Sequence, residues 1–297
     1  MRLVSFGEPG SERPGVVIDD RIVDLQRCDV SLPGSIRDIL DQERLHDARR
    51  IVESGEAPAE AHVALAGTRL GPPIPWPSKI VCVGLNYADH AAEQNRPLPK
   101  VPLLFAKATT ALRGTGDAIL LPVNEERVDV EAELAFVIGR RARHVGAADA
   151  DAVVAGYMCF NDVSGRAAQY SDRQFFRGKG FDTFAPCGPY LVTADEIADP
   201  HALAIGSRVN DRVMQQSNTS QLVFKVPQLV EYITRSMTLL PGDIVATGTP
   251  AGVGVFRDPP IFLRDGDRVE VSIEGLGTLS NPVRSERVEE TGTRAIR

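Results

Sequence analysis

Short apolar runs typical of β-strands, separated by turns that contain glycine or proline, fill most of the chain after residue 79. Clear examples are the runs KIVCVGL, ELAFVIG, VATGTP, RVEVSIEG and LGTLSNPV. Their number predicts a mixed but β-dominated body of barrel-like or roll-like form. Helical candidates are limited to residues 86–95, 147–155 and 226–237. No G-x-G-x-x-G follows a strand and no βαβ rhythm is present, which argues against a Rossmann-type nucleotide-binding domain.

The segment GPPIPWPS, residues 71–78, separates this body from the start of the chain. Its four prolines in eight residues exclude a helix interior or a central strand. We therefore predict a small N-terminal α+β domain over residues 1–70 and a catalytic domain over residues 71–297. In the first domain, the runs of RPGVVIDDRIVDLQ predict a hairpin that turns at Asp19 and Asp20. Ser35 is a candidate N-cap for an amphipathic helix that extends to Ser54.

Composition and charge limit the partners of the 297-residue chain. The net charge of -7, from 40 acidic and 33 basic residues, argues against a nucleic-acid surface. No run approaches the ~18 to 20 apolar residues of a membrane span, and MRLVSFGEPG has no apolar signal core. We expect a cytoplasmic protein that binds neither nucleic acid nor membranes. The four cysteines form no C-x-x-C pair, so we predict reduced thiols rather than a zinc site or disulfides.

Two glutamates lie in the apolar run DVEAELAFVIG, residues 129–139. Side chains alternate along a strand, so Glu131 and Glu133 would share one face while the residues between and after them face the core. Neighbouring carboxylates repel each other, and a cation between them relieves the repulsion. Asp162 follows a second apolar run and is a candidate third ligand. Oxygen ligands favour hard cations such as Mg²⁺, Mn²⁺ or Ca²⁺ over zinc. Because E-x-E is a common pattern, a solvated strand face remains the alternative interpretation.

A histidine and a glutamate stand three residues apart in VGLNYADHAAE. On a helix this spacing puts His90 and Glu93 on one face, within hydrogen-bonding reach. A carboxylate that orients an imidazole makes it a better general base. The alternative is an incidental pair on a surface helix.

Five segments in the same order resemble the fumarylacetoacetate hydrolase family. These are VGLNYADHAAE, DVEAELAFVIG, NDVSGRAAQ, GKGFDTFAPCGP and LPGDIVATGTPAGVG, within residues 71–285. The resemblance is to the bacterial branch of acylpyruvases and 2-hydroxyhepta-2,4-diene-1,7-dioate isomerases. It implies a β-roll catalytic domain with Mg²⁺ or Mn²⁺ at its mouth, usually in a homodimer.

The resemblance also implies roles for individual residues. Glu131, Glu133 and Asp162 match the metal ligands, and Arg166, Gln169 and Thr249 match substrate-binding positions. Lys179 in GKGFDTF matches the active-site lysine, while His90 and Glu93 match a catalytic pair carried on a lid. Asn86 stands where mammalian-type members have a fourth carboxylate. Gln215, Asn218 and Thr219 match a family hairpin near the site.

The activity implied is hydrolysis of a C–C bond in a 2,4-dioxo acid, of the acylpyruvate or fumarylpyruvate type. His90 would activate water, and pyruvate would leave through a metal-stabilised enolate. Related chemistry leaves two alternatives open, decarboxylation of oxaloacetate and isomerisation of 2-hydroxyhepta-2,4-diene-1,7-dioate. A non-catalytic protein that binds a metabolite is the alternative of another class. Similarity to members of aromatic or sugar-acid catabolism leaves the acyl group undetermined, so the partner is defined only as a small 2-oxo acid.

Overall fold

The computed structural model describes residues 1–286, which form eighteen β-strands and seven α-helices joined by turns and short 3₁₀ segments. The strands are β1 (Arg2–Phe6), β2 (Arg13–Ile18), β3 (Arg21–Asp24), β4 (His62–Ala64), β5 (Ile80–Gly84), β6 (Leu103–Lys107), β7 (Leu112–Arg113), β8 (Ile119–Leu121), β9 (Val128–Asp129), β10 (Ala132–Ile138), β11 (Val154–Asn161), β12 (Ser164–Gly165), β13 (Ala185–Thr193), β14 (Ala204–Val209), β15 (Arg212–Asn218), β16 (Ile244–Ala246), β17 (Arg268–Ile273) and β18 (Gly277–Ser285). The helices are α1 (Leu25–Cys28), α2 (Ile36–Asp41), α3 (Leu45–Ser54), α4 (Ala88–Glu93), α5 (Arg166–Asp172), α6 (Phe176–Lys179) and α7 (Val226–Ser236).

Three sheets organise the described chain. The largest has eleven strands in the order β4-β3-β2-β1-β13-β11-β10-β16-β5-β6, with β7 paired to β13. A five-stranded sheet has the order β15-β14-β17-β18-β8, and β12 pairs with β9. Pairing is mixed, since β10 and β11 are antiparallel whereas β16 and β5 are parallel. The predicted mixed, β-dominated fold class is confirmed, and its form is a roll-like arrangement rather than a closed barrel.

The N-terminal strands join the main sheet edge to edge. Strand β1 pairs with β13, with Leu3 opposite Leu191. The predicted hairpin is present between β2 and β3, and Asp19 turns the chain with a positive φ of 51°. Ser35 caps α2 as predicted, accepting a hydrogen bond from the Asp38 amide at 3.1 Å. The single helix predicted to reach Ser54 is instead two helices, α2 and α3. The domain boundary after residue 70 stays a prediction.

The segments predicted as helices differ in outcome. Helix α4 lies within residues 86–95 and α7 within residues 226–237, as expected. The helix predicted over residues 147–155 is wrong. A 3₁₀ segment covers Ala147–Val153, and β11 begins at Val154 because that residue already pairs with β10. None of the helices within residues 1–286 is long and apolar enough to cross a membrane.

Strand β10 lies at the centre of the core and is buried on both faces. Leu134 and Phe136 pack in one apolar cluster with Leu229 of α7. Ala135 and Val137 pack on the opposite face, in a cluster that includes residues of α2. An interior of this density holds the strand rigidly, so side chains at its start are placed with little freedom.

Candidate metal-dependent active site

The pairing of β10 with β11 brings three acidic residues together. Ala132 lies opposite Asn161, and just beyond this pair the Asp162 amide donates to the Glu131 carbonyl at 2.9 Å. Glu131, Glu133 and Asp162 are all buried, and each offers a carboxylate oxygen within 4.8 Å of the others. Such a set of convergent hard donors could hold a divalent metal ion.

Two buried lysines stand beside these carboxylates. Lys179, at the end of α6, donates from Nζ to Glu131 Oε2 at 2.6 Å and to Asp162 Oδ2 at 2.7 Å. Burial opposes its charge, but Asp162 and Glu131 outweigh that effect and raise the pKa of Lys179 above its ordinary value. Lys107, the last residue of β6, pairs with Asp162 Oδ1 and donates to the Val163 carbonyl at 3.1 Å. Both amines are therefore held against the acidic cluster.

Arg166 and Gln169 enter the site from α5. Arg166 Nη1 lies 2.7 Å from Glu131 Oε1 and donates to Gln169 Oε1 at 3.0 Å, while Nη2 donates to Asp129 Oδ2 at 2.8 Å. Burial alone would raise the pKa of Glu131, but the charges of Lys179 and Arg166 lower it to about 2. Glu131 is thus a permanent anion near neutral pH.

Glu133 differs from the other two carboxylates because no cationic side chain within residues 1–286 forms an ion pair with it. Its Oε2 accepts one hydrogen bond, from the Gly248 amide at 2.9 Å. Gly248 presents that amide with a φ of +101°, in a region that glycine tolerates. Burial, then the negative charges of Asp162 and Glu131, raise the pKa of Glu133 well above its ordinary value. Among the three carboxylates of the cluster, Glu133 is the one without an ion-pair partner in the described part of the chain.

Thr249 follows directly and faces the same region. Its Oγ1 donates to the Ala132 carbonyl at 2.9 Å and accepts from Gln215 Nε2 at 2.7 Å. Gln215 also accepts from the Ala132 amide at 2.8 Å, so it bridges the two segments. Asn218 and Thr219, in contrast, accept from the backbone amides of Ser220 and Leu203 and do not line the cavity described below.

Helix α4 carries the expected histidine–glutamate pair. His90 Nδ1 lies 2.8 Å from Glu93 Oε1, and Glu93 Oε2 accepts from the Gly252 amide at 2.8 Å. A proton on Nδ1 directed at the carboxylate leaves Nε2 as the basic nitrogen, and we assign this tautomer from the hydrogen bonds. Gln94 Nε2 lies 2.7 Å from that nitrogen and donates to it. His90 is only 7% exposed and lies beside the ring of Phe256.

The Asn86 side chain has a structural role. Its amide donates to the carbonyls of Phe224 at 3.0 Å and Thr247 at 2.8 Å, and its Oδ1 accepts from the Phe224 amide. These bonds join three segments of the chain below the site. Asn86 does not belong to the cluster of carboxylates.

A cavity of about 370 Å³ unites most of the predicted residues. Those that line it are His90, Glu131, Glu133, Arg166, Gln169, Lys179 and Thr249. Asp162 and Glu93 lie behind the lining, in contact with Lys179 and His90. All nine residues predicted from the sequence are therefore in or directly behind one cavity. Their individual roles remain predictions.

Sequence reasoning missed two buried residues of this site, Lys107 and Asp129. The only signal for Lys107 is a lysine at the end of the apolar run LLFAK. Asp129 stands at the start of the acidic segment, and besides Arg166 it accepts from the amides of Gly254 at 2.8 Å and Val255 at 2.9 Å. It thereby ties the arginine to the glycine-rich loop after β16.

The fold and this cavity agree with the family comparison. Residues 79–284 match the family Fumarylacetoacetate (FAA) hydrolase C-terminal, and the chain belongs to that family. Its members include enzymes named as hydrolases, isomerases and tautomerases.

Three similar proteins show this range. The "Oxaloacetate tautomerase Fahd2a, mitochondrial" of Rattus norvegicus is 44% identical over 288 residues, which cover 95% of this chain and 91% of the relative. The maleylpyruvate hydrolase of Sphingobium sp. SYK-6, solved with manganese(II) ion and pyruvate, has a TM-score of 0.80 and 34% identity, covering 97% of this chain and 100% of that one. The 2-hydroxyhepta-2,4-diene-1,7-dioate isomerase of Mycobacterium marinum has a TM-score of 0.76 and 36% identity, covering 96% and 99% respectively.

Proposed function

We propose that this protein is a divalent-metal-dependent enzyme that interconverts the keto and enol forms of a 2-oxo acid of the oxaloacetate type. One observation carries the proposal: a single cavity is lined by His90 and by Glu131 and Glu133 of the acidic cluster, with Asp162 directly behind the lining. The nearly full-length similarity to the rat oxaloacetate tautomerase supports this reaction over the hydrolysis favoured by sequence reasoning.

The residues present fit a divalent cation. Glu131, Glu133 and Asp162 supply three oxygen donors, and Glu133 lacks any cationic partner among the described residues. Such donors suit Mg²⁺ and Mn²⁺ alike, and we propose one of these as the cofactor. When bound, the ion would supply Lewis-acid stabilisation of negative charge that develops on the 2-oxo oxygen.

The protein's own residues perform the proton transfer. His90 Nε2 takes a proton from carbon 3 as the C2=C3 double bond forms, and it returns that proton to the oxygen on carbon 2, which completes the enol and regenerates the neutral imidazole. Glu93 stabilises the imidazolium and holds its orientation through the Nδ1 hydrogen bond. Lys179 keeps its positive charge next to the cluster and favours an anionic substrate. The near-complete burial of His90 limits access of water to the proton in transit.

Hydrolysis of a 2,4-dioxo acid is the second candidate, favoured by the likeness to the maleylpyruvate hydrolase. His90 would then take a proton from a water molecule, whose oxygen attacks the 4-carbonyl. The C3–C4 bond breaks, the acyl half leaves as a carboxylic acid, and the pyruvate half accepts at carbon 3 the proton that His90 took from water. Decarboxylation of oxaloacetate and isomerisation of a hydroxydienoate would use the same groups.

A substrate panel separates these reactions. The enol-to-keto conversion of oxaloacetate is followed by ultraviolet absorbance, and pyruvate release is measured from oxaloacetate, maleylpyruvate and other acylpyruvates, each with Mg²⁺, Mn²⁺ or EDTA. We expect metal-dependent tautomerisation to exceed every pyruvate-forming rate. Faster pyruvate release from an acylpyruvate would establish the hydrolase instead. Ligand binding without turnover of any compound would indicate a non-catalytic metabolite-binding protein.

The homodimer implied by the family resemblance is also part of the proposal. Sedimentation equilibrium of the full chain measures it directly, and a monomeric mass would contradict it.

A further inference from the structure

Two arginines at the mouth of the active-site cavity have no role in the reaction proposed above. Arg96 and Arg173 line the same cavity as the acidic cluster, and both are exposed. Within residues 1–286, neither guanidinium forms an ion pair or a side-chain hydrogen bond. Arg166, on the inner wall, is in contrast buried and paired with two carboxylates. The cavity therefore has an inner end where the cationic side chains of Arg166 and Lys179 are paired with carboxylates, and an outer end with two unpaired positive charges.

Each of these arginines follows a helix that also supplies an inner residue of the site. Arg96 lies just past α4, which carries His90, and its backbone amide donates to the Ala91 carbonyl at 2.9 Å. Arg173 is the C-cap of α5, which carries Arg166. The two cationic groups are thus held on the elements that line the reaction site.

The backbone at Arg173 is unusual for a bulky residue. Its φ of +57° lies in the left-handed region, where glycine is the common helix-ending residue. An arginine is therefore kept at a position where a smaller residue suits the backbone better. Such an outlier prompts a functional hypothesis for the side chain.

We propose that Arg96 and Arg173 bind a second carboxylate, at the end of the substrate opposite the 2-oxo acid group, and so select dicarboxylic 2-oxo acids. This rests on the proposed function, which places the 2-oxo acid end against the inner wall. Guanidinium groups pair with carboxylates through charge-assisted hydrogen bonds. The remaining rim includes Leu103, Tyr170 and Phe256, each about half exposed, and their apolar surfaces do not neutralise an anionic end.

Two variants remove the rim charges with little risk to the fold. Arg173→Gly suits the left-handed backbone, and Arg96→Ala removes an exposed side chain without partners among the described residues. Lys100→Ala is the matched control, because Lys100 is an exposed cation of the same segment as Arg96 but does not line the cavity. Arg173→Lys retains the charge without the bidentate geometry.

Kinetics compare oxaloacetate with its 4-methyl ester, which lacks the distal charge. We expect each rim variant to raise KM for oxaloacetate roughly tenfold or more, the effect of one lost charge-assisted hydrogen bond, with little change in kcat. Parameters for the ester should stay near those of the wild type. Lys100→Ala should behave as wild type, and Arg173→Lys should lie between wild type and Arg173→Gly. Equal losses for both substrates, or no loss, would overturn the proposal.

Calorimetric binding distinguishes failure of this inference from failure of the proposed reaction. The Mn²⁺-loaded protein is titrated with 2-oxoglutarate and with 2-oxobutyrate, which differ by a distal carboxylate. A preference for the dicarboxylate that both rim variants abolish supports the rim site even if no tautomerisation is found. Equal affinities in the wild type would contradict the rim site even if tautomerisation is confirmed.

Discussion

Glu133 is the residue whose surroundings most need an explanation. It is buried, its carboxylate neighbours repel it, and its pKa is raised well above the ordinary value. Lys179 instead contacts Glu131 and Asp162. An unpaired buried carboxylate opposes folding, and a bound cation removes that cost. We attribute the retention of Glu133 to metal binding rather than to stability.

Replacing Glu133 by glutamine tests this explanation. The amide can still accept from Gly248 but carries no charge, so the unfolding temperature in EDTA should equal or exceed that of the wild type. Affinity for Mn²⁺ should fall by on the order of 100-fold or more. The wild type should gain about 2.7 kcal/mol at a metal concentration of one hundred times Kd, and the variant should not. Scanning calorimetry with and without Mn²⁺ measures the unfolding temperature of each protein and its stabilisation by the metal ion.

The exposed substitution Glu126→Gln is the control for that experiment, and it should retain the Mn²⁺ effect. A Glu133→Gln protein that is strongly destabilised in EDTA would show that the carboxylate has a structural purpose.

The cysteines give a second residue-level prediction. All four are free thiols, as expected, and Cys82, Cys159 and Cys187 are buried. Burial raises the pKa of each, that of Cys159 to about 12. Cys28 is only partly buried, and burial followed by the charges of Asp24 and Glu60 raises its pKa as well.

A chromogenic disulfide reagent should therefore modify one thiol, Cys28, in the native protein. Only the thiolate reacts, so the rate should increase about tenfold for each pH unit below the pKa of that thiol. All four thiols should react in denaturant. Rapid reaction of more than one native thiol at neutral pH would contradict the described burial.

At the scale of elements, the sequence predicted what local patterns encode. Period-two alternation identified β10 with Glu133 inside it and Glu131 just before it, and a spacing of three identified the His90–Glu93 pair. Contacts between side chains that are far apart in the chain could not be predicted from such local patterns. Lys107 is 55 residues from Asp162, and Asp129 is 37 from Arg166, so no local pattern links them. The helix predicted over residues 147–155 was wrong at its end for the same reason, because the chain pairs with β10 from Val154 onwards.

The loop after β16 positions helix α4. Gly252 has a φ of +102°, and a Cβ there would lie 2.3 Å from the Met214 carbonyl oxygen. A Gly252→Ala substitution should displace the amide that holds Glu93, and with it the orientation of His90. We expect kcat to fall roughly ten- to hundredfold, as for other lost orienting contacts, while Mn²⁺ affinity is unchanged. Steady-state kinetics and metal titration measure the two effects.

Gly266→Ala is the matched control, since Gly266 also has a positive φ of +89° but no neighbouring atom within 4 Å of an added Cβ. It should reproduce the backbone strain without the loss of activity. Equal losses in both variants would mean that general strain, and not the Glu93 contact, limits turnover.

At the scale of the whole molecule, the eleven-stranded sheet runs from the N-terminal strands into the catalytic body. Ile36 and Ile39 of α2 share an apolar cluster with Ala135 and Val137 of β10. The first seventy residues therefore cover one face of the strand that positions the acidic cluster. Because of this packing, the first seventy residues and the rest of the described chain stabilise each other.

We accordingly expect one cooperative unfolding transition for the full chain in EDTA, with equal calorimetric and van't Hoff enthalpies. Two resolved transitions would show instead that the parts before and after the proline-rich segment unfold independently. A small-angle scattering profile at the start of the scan checks that the protein is in a single oligomeric state.

The most direct test of the account is the rate at which enol oxaloacetate converts to the keto form, followed by ultraviolet absorbance at a fixed Mn²⁺ concentration. Glu133→Gln protein at the same concentration corrects for catalysis by free metal ions. The account predicts that the wild type accelerates the conversion, that EDTA abolishes the effect and that added Mn²⁺ restores it. Equal rates for wild type, variant and buffer, with Mn²⁺ bound to the wild type, would contradict it.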